Sequence, residues 1–339
     1  MIQLASLNMY FAAEAFKHPI ITPKVTMEHR KALVIMLETT DGQHYYGECN
    51  AFETDWYADE TINSVALDIQ SWFDKYHMTS FYTFEDLSKS LKCLEHRPAA
   101  RSTLVMALYS AFHTLTSFSI AYGATISGVN DDIVHYIEAT QPQRIKLKYS
   151  SHIEADFQQL QRVAKALTAW VIDANESLSE QDIPTLERCK HWGVSYIEEP
   201  FKQLAVLDEL DVTCLPPIAL DEKATSITAI LDYVASYPID YVVLKPFRLG
   251  GIDKVLEAMT HLRAQGVKCV VGGMYEYGLS RYYTAWLSQF GDAPGDVTPE
   301  GYYFKQDIVR DNGKLKDGRI YFTPPVVEKT LLHAYYLNG

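Results

Sequence analysis

The sequence predicts an α/β protein, a (β/α)-barrel joined to an N-terminal α+β capping domain. Two rhythms and one recurring position carry that expectation. The first 115 residues give strands and then helices, whereas the chain beyond residue 120 repeats a strand–helix unit about every 25 residues. On five of those repeats an ionisable side chain falls at the end of the strand.

In the first region, residues 32–40 (ALVIMLETT) are β-rich, Asp41-Gly42 is a turn pair, and Tyr45–Glu48 is a returning strand. Helical patterns follow at 58–75, 84–94 and 99–115. The expected division is 1–115 for the cap with its substrate loops, 116–315 for the barrel, and 316–339 for a tail packing on the cap.

The second region gives short β-rich runs beginning at Arg144, Ala169, Ser195, Pro217, Tyr241 and Cys269, with starts 25, 26, 22, 24 and 28 residues apart. Amphipathic helical stretches lie between them at Ala155–Leu167, Leu178–Trp192, Ser226–Ser236 and Ile252–Gln265. Such repeats mean parallel strands joined by crossover helices. Two weaker strands, near 121–127 and 292–297, bring the count to eight, the number that closes a barrel. An open doubly wound sheet is the alternative, but no glycine-rich phosphate fingerprint follows the first strand.

The chain has 339 residues, 47% of them hydrophobic and 22% charged, enough for a barrel plus a smaller domain. A net charge of −13 argues against nucleic acid or an anionic membrane as partner. It leaves room for an anionic small molecule, provided that the site itself carries cations. Five widely spaced cysteines without a CxxC pair point to reduced thiols of a cytoplasmic protein. The first basic residue is Lys17, so no signal peptide is expected, and no apolar run of about 18 residues predicts a membrane span. The triplet Asn175-Glu176-Ser177 therefore carries no weight as a glycosylation site. No HExxH, GxSxG or Walker motif occurs.

The five strand-end residues are Lys148, Asp173, Glu198, Asp221 and Lys245, spaced 25, 25, 23 and 24 apart. A barrel keeps its chemistry at this end. Each residue alone has a plainer explanation, as a helix N-cap or a solvated lysine. Together they are harder to dismiss. Lys146 and Lys148 face one side of their strand, and Lys245 follows an apolar run, where a cation needs balancing anions. Three carboxylates supply them, and as hard oxygen donors without thiol or histidine they favour Mg²⁺ or Mn²⁺ over zinc. An ion-pair network of purely structural purpose fits less well, because barrel interiors are filled by branched apolar side chains. The chemistry that suits this set is proton abstraction beside a carboxylate. The metal stabilises the developing enediolate, and a lysine lowered by burial and cationic neighbours acts as base.

At these residues the sequence resembles the enolase superfamily, in particular its muconate-lactonizing subgroup, whose known chemistry is of this kind. The resemblance runs through Ile145-Lys146-Leu147-Lys148, Asp173-Ala174-Asn175, Glu198-Glu199-Pro200, Asp221-Glu222, Lys245-Pro246 and Gly272-Gly273-Met274. It implies a modified TIM barrel, Asp173, Glu198 and Asp221 as ligands of Mg²⁺ (or Mn²⁺), and Lys148 and Lys245 as acid–base lysines. Lys146, Asn175, Glu222, Gly272, Gly273 and Met274 would line the site or support it. Within the subgroup the chain is most similar to o-succinylbenzoate synthases. Tyr46–Phe52, Asp55–Tyr57 and Glu60-Thr61 resemble their N-terminal substrate loop, and Gly291–Pro299 with Tyr303-Phe304 and Asp307-Ile308 their last barrel segment. Two features depart from that pattern: Val105 and Ser110 stand where relatives carry Glu and Asp, and the tail from Val326 lacks a Gly-x-Gly ending.

The implied reaction is dehydration of 2-succinyl-6-hydroxy-2,4-cyclohexadiene-1-carboxylate to o-succinylbenzoate, a step towards menaquinone. Lys148 would remove the proton α to the ring carboxylate and assist departure of the hydroxyl. Lys245 would stay protonated and stabilise the dienediolate, a cation–π contact being one route. Loops near 17–26 and 50–57 would close over the succinyl tail. Racemisation of N-succinyl amino acids or epimerisation of dipeptides would use the same residues, with both lysines as alternating bases. A catalytically inactive barrel that only binds is the remaining alternative. The oligomeric state is left open between monomer and homo-oligomer.

Overall fold

The computed structural model describes residues 1–22, 24–164, 169–310 and 312–337. Its first layer is built on a long hairpin of β1 (Ile2–Ile21) and β2 (Thr26–Thr39), beside which β3 (His44–Glu48) returns antiparallel. The predicted turn between β2 and β3 forms, with Gly42 at φ +80°, where a residue without Cβ is free of strain. The short β4 (Ser80–Phe81) pairs with the start of β1.

No strand is expected over most of β1, because its apolar and polar residues do not alternate cleanly. Lodged between neighbours, it is half-buried along much of its length. The expected loop near 17–26 is also a hairpin tip, since pairing resumes at Ile20↔Met27 and Ile21↔Thr26. Before it the strand breaks register, and there Phe16 bridges to Phe304 while the Lys17 amide donates to the Tyr303 carbonyl at 2.8 Å. The hairpin arm thus leaves its own sheet to touch the barrel.

Three helices cover this sheet: α1 (Ile62–Tyr76), α2 (Phe84–Ser90) and α3 (Pro98–Tyr109). Thr61 and Thr83 fix the first two starts by accepting the amides of Ser64 and Asp86. The predicted 84–94 stretch continues past α2 only as a 3₁₀ turn at Leu91–Leu94. Likewise α3 stops at Tyr109, short of residue 115, and the chain turns so that His113 stacks on Tyr109 and Phe112 meets Phe84. Gly47 of β3 lets α3 lie close, since a Cβ there would fall 2.2 Å from the Thr103 carbonyl oxygen.

From β5 (Phe118–Ala121) the chain enters a parallel sheet in sequence order. Its strands are β6 (Gly123–Ile126), β7 (Arg144–Lys148), β8 (Ala169–Asp173), β9 (Val194–Glu198), β10 (Ile218–Leu220), β11 (Ile239–Leu244) and β12 (Lys268–Val271). The six strong β-rich runs of the sequence all form strands within two residues of the expected starts. The weaker 121–127 run yields β6. The other weak run is corrected, because 292–297 forms no strand. Asp296 makes a single parallel bridge to Gly272, and its carboxylate pairs instead with Arg144 and Lys146 of β7. Side chains therefore link β7 to the far edge of the sheet where an eighth strand was expected. Gly123 makes room for this, since a Cβ there would lie 2.8 Å from Arg144 Nε.

The crossovers carry α4 (Asp131–Thr140), α5 (Ile153–Gln161), α6 (Ile183–His191), α7 (Ile227–Ser236), α8 (Pro246–Leu249), α9 (Ile252–Ala264) and α10 (Gly278–Ser288). The helix expected to run to Leu167 ends at Gln161, and residues 165–167 lie outside those described. The one expected from Leu178 starts at Ile183, after a turn in which Ser179 and Asp182 cap each other. Between β9 and β10 there are two 3₁₀ turns, Leu204–Glu209 and Val212–Cys214.

Inside the curl, Val171, Tyr196, Ala219, Tyr241, Val243 and Val270 form a separate packed layer, with Tyr196 stacked on Tyr241 at 4.4 Å. At its C-terminal end the chain adds β13 (Lys314–Lys316) and β14 (Arg319–Phe322), which pairs with β5, and then β15 (His333–Ala334), which pairs with β1. No helix among the described residues is long and apolar enough to cross a membrane.

Candidate metal and acid–base site

The strand register decides which side chains meet. Lys148 lies opposite Asp173, and Asp173 opposite Glu198, so three of the five strand-end residues form one row across β7, β8 and β9. Adjacent strands are about 4.8 Å apart, which puts neighbouring side chains of that row within contact. Asp221 leaves the end of β10, and Lys245 leaves β11 as the N-cap residue of α8.

Lys148 Nζ donates to Asp173 Oδ2 at 2.5 Å and to Asn175 Oδ1 at 2.8 Å. Its side chain is 37% exposed, at the mouth of the row. Asn175, held at φ +46°, passes the contact on by donating Nδ2 to Glu222 Oε1 at 3.0 Å. Lys146 lies deeper, where its Nζ bonds Glu198 Oε2 at 3.0 Å and Asp296 Oδ2 at 2.7 Å, with Asp173 Oδ2 at 3.6 Å. On the other flank Lys245 Nζ meets Asp221 Oδ2 at 2.8 Å, and Arg248 takes the other oxygen at 2.9 Å. Tyr57 reaches over from the cap, its hydroxyl 3.0 Å from Arg248 Nη1 and 3.5 Å from Lys245 Nζ. The five strand-end residues thus form one site, with the carboxylates between two lysines.

Burial and charge act against each other here. Burial pushes the Glu198 carboxyl up to about 8, with Lys146 opposing and the other acids adding to the rise. Burial also disfavours the charges of Lys146 and Lys245, but the carboxylates outweigh it and both ammonium groups are held more firmly than an ordinary lysine. Asp221 is likewise held well below the usual carboxylate range, because Lys245, Arg248 and Lys146 overcome its burial. The nearest charges to Lys146 and Lys245 are anions, which is why both hold their protons so firmly.

No three acidic, histidine or cysteine side chains among the described residues converge closely enough to hold an ion as they stand. Lysines occupy the intervening space. The donor set nevertheless fits a hard divalent cation. Asp173, Glu198 and Asp221 are buried carboxylates at the ends of consecutive strands, and Glu198 Oε1 is buried with no hydrogen-bond partner among the described residues. An orphaned carboxylate oxygen at the centre of three acids is what an absent cation would satisfy.

The remaining expected residues are placed less centrally. Gly272 bridges to Asp296, and the Gly273 amide donates to the Asp296 carbonyl at 3.1 Å. A Cβ on Gly273 would lie 2.1 Å from Glu276 Oε2, so any side chain there would have to displace that carboxylate. Met274 is half-buried beside them. The sequence reading missed Arg144, Arg248 and Asp296, and it placed Tyr57 in a loop without assigning it a partner. Arg248 left a signal, a second cation three residues after Lys245 in an apolar run. Asp296 left none, because its importance comes from Arg144 and Lys146 reaching across the curl.

The sequence profile of the family described as enolase C-terminal domain-like matches residues 129–325. The chain is similar to an o-succinylbenzoate synthase from Bacillus subtilis, 25% identical over 94% of this chain and 92% of that one. The solved structure of an enolase superfamily member from Listeria innocua superposes with a TM-score of 0.86 at 20% identity, covering 99% of this chain and 98% of that chain. A dipeptide epimerase from Enterococcus faecalis, solved with Mg and the dipeptide L-Leu-L-Tyr, gives 0.79 at 16% identity, covering 98% of this chain and 99% of that chain.

Proposed function

The chain is an enzyme of the enolase superfamily, and on that premise we propose that it is an o-succinylbenzoate synthase, a hydro-lyase acting on 2-succinyl-6-hydroxy-2,4-cyclohexadiene-1-carboxylate. The observation that carries this reading is the unlike setting of the two lysines. Lys148 is at the open mouth, 37% exposed, with Asp173 and Asn175 as its hydrogen-bond partners among the described residues. Lys245 is buried between Asp221 and Tyr57, and it shares Asp221 with Arg248. One lysine is free to take and return a proton, and the other is a fixed cation. A dehydration needs that division, whereas a racemase needs two alternating bases.

Asp173, Glu198 and Asp221 would hold Mg²⁺, or Mn²⁺ in its place, and the ion would neutralise charge developing on the substrate's ring carboxylate. Lys148 removes the proton from the carbon α to that carboxylate. The electron pair moves into the ring, the hydroxyl leaves, and Lys148 returns its proton to it, so that water departs and the ring becomes aromatic. Lys245 keeps its proton and faces the negative charge throughout. Asn175 orients Lys148 from the side, and Tyr57 covers Lys245.

Charge supports an anionic substrate. With Lys148 uncharged as the base, Arg144, Lys146, Lys245 and Arg248 face Asp173, Glu198, Asp221, Glu222 and Asp296, four against five. A divalent ion added to that set would leave it net positive, as an anionic substrate needs. A cavity of about 220 Å³ between Val25–Lys31 and Phe52–Trp56 would take the succinyl tail.

The deciding experiment offers the cyclohexadiene substrate and an N-succinyl amino acid separately in D₂O. Formation of o-succinylbenzoate is the expected outcome. Deuterium exchange with racemisation of the amino acid, and no o-succinylbenzoate, would replace this reading with that of a racemase.

A further inference from the structure

In the loops that follow the carboxylate-bearing strand ends lies a second ionic group that plays no part in the proposed chemistry. Lys223 follows Asp221-Glu222, and its side chain is 11% exposed. Its Nζ donates to Glu176, to Glu199 Oε2 at 3.1 Å and to the Phe201 carbonyl at 3.1 Å, while its amide donates to Glu199 Oε2 at 3.2 Å. These partners have a common feature. Glu176 is three residues past Asp173, Glu199 is next to Glu198, and Lys223 is two past Asp221. A single ammonium group therefore joins the three consecutive loops that carry the three central carboxylates.

The backbone of those loops needs a tie. Asn175, Glu176 and Glu199 have φ of +46°, +62° and +39°, a region that side-chain-bearing residues rarely occupy and that costs about 1 kcal/mol or more at each position. The Glu176 amide donates to the Glu199 carbonyl at 2.7 Å, and Ser177 bridges to Phe201, so the first two loops are already pinned together. Lys223 adds the third. It also neutralises negative charge beside acids that repel one another, a charge that would otherwise drive Asp173, Glu198 and Asp221 apart.

We propose that Lys223 is a positioning residue that locks the three ligand-bearing loops in one geometry and thereby sets the affinity for the divalent ion. This rests on Asp173, Glu198 and Asp221 being the ligands. Supporting partners behind metal ligands change affinity by about 10- to 100-fold when removed.

The test measures Mn²⁺ binding to the full chain, with the free ion read by electron paramagnetic resonance and Mg²⁺ as competitor. Lys223→Met is expected to bind Mn²⁺ about tenfold more weakly or worse, with a wild-type circular dichroism spectrum. Lys223→Arg restores most of the loss, because a cation again spans the loops. A tie that serves only folding would lower the melting temperature of Lys223→Met and leave the affinity of the folded protein unchanged, and that result overturns the proposal. If Lys223→Met does not fold, Glu176→Gln decides, since it removes one arm at a 30% exposed position. Weaker binding by that variant supports the tie, and unchanged binding overturns it. A wild-type chain that binds no Mn²⁺ overturns the ligand assignment itself, and this inference with it.

Discussion

Lys148 and Lys245 are the same residue type and both address one cluster of acids; what separates them is exposure, 37% against 8%, and the partners each meets. Lys148 has one carboxylate and one amide oxygen beside it, while Lys245 has a carboxylate that is itself doubly paired and a tyrosine above. Replacing either by alanine is expected to cost at least about a hundredfold in dehydration, the lower range for a positioned acid or base. Mn²⁺ binding survives in both variants, because all three carboxylates remain. Turnover near the wild-type rate in either variant would defeat the mechanism. Arg248 was legible in part, as a cation close after Lys245, whereas Asp296 lay in a run read only as a weak strand, and nothing along the chain shows that Arg144 and Lys146 pair with it.

The contacts between elements show how the cap is joined to the barrel. Glu48, at the end of β3, accepts the amides of Tyr277 and Ser280 at 2.8 Å each, so a residue of the cap serves the N-terminus of α10. Arg101 of α3 makes the matching link on the other side through the Gly250 carbonyl and Asp253 of α9. Burial pushes Glu48 from 4.5 to about 8, the two amides opposing. Its folded value is thus above its unfolded one. The folded chain keeps a proton that the unfolded chain has lost, and this contribution to stability is full below pH 4.5 and fades as pH rises towards 8. The slope is about 1.4 kcal/mol per pH unit within that window. Glu48→Gln cannot titrate, so its melting temperature should fall less than the wild type's between pH 5 and 8. Parallel pH profiles for the two proteins would exclude Glu48 as the titrating group. The helices and strands of this scale were largely legible. Their ends were not, because caps such as Thr61, Thr83 and Ser179 and the stacking of His113 on Tyr109 decide them.

For the molecule as a whole, the proposed ligand set at the ends of three consecutive strands would make ion binding and folding one linked equilibrium. An ion that binds only the folded chain stabilises it by about 2.7 kcal/mol at a hundred times its dissociation constant. Chelation is therefore expected to stop turnover and lower the melting temperature, and Mg²⁺ to restore both. Activity that persists through exhaustive chelation would remove the metal from the mechanism. The architecture concentrates this effect at one end of the curl, because the row Lys148–Asp173–Glu198 lies above a packed layer that includes Val171, Tyr196 and Ala219.

The sequence by itself determined the repeat, the parallel strands and the five ionisable positions, because a period of about 25 residues and a common strand-end position are local properties of the chain. It also located the β2–β3 turn through Asp41-Gly42. Only the tertiary structure decided that the parallel sheet has seven strands among the described residues and that Asp296, Arg144 and Lys146 pair where an eighth was expected. It alone decided that β1 pairs along most of its length, that Tyr57 reaches Lys245, and which acids hold Lys146 and Lys245 as firm cations. Pattern shows which residues share a face of their own element. The field at a buried charge depends on groups that distant segments bring to it, and no spacing along the chain records those distances.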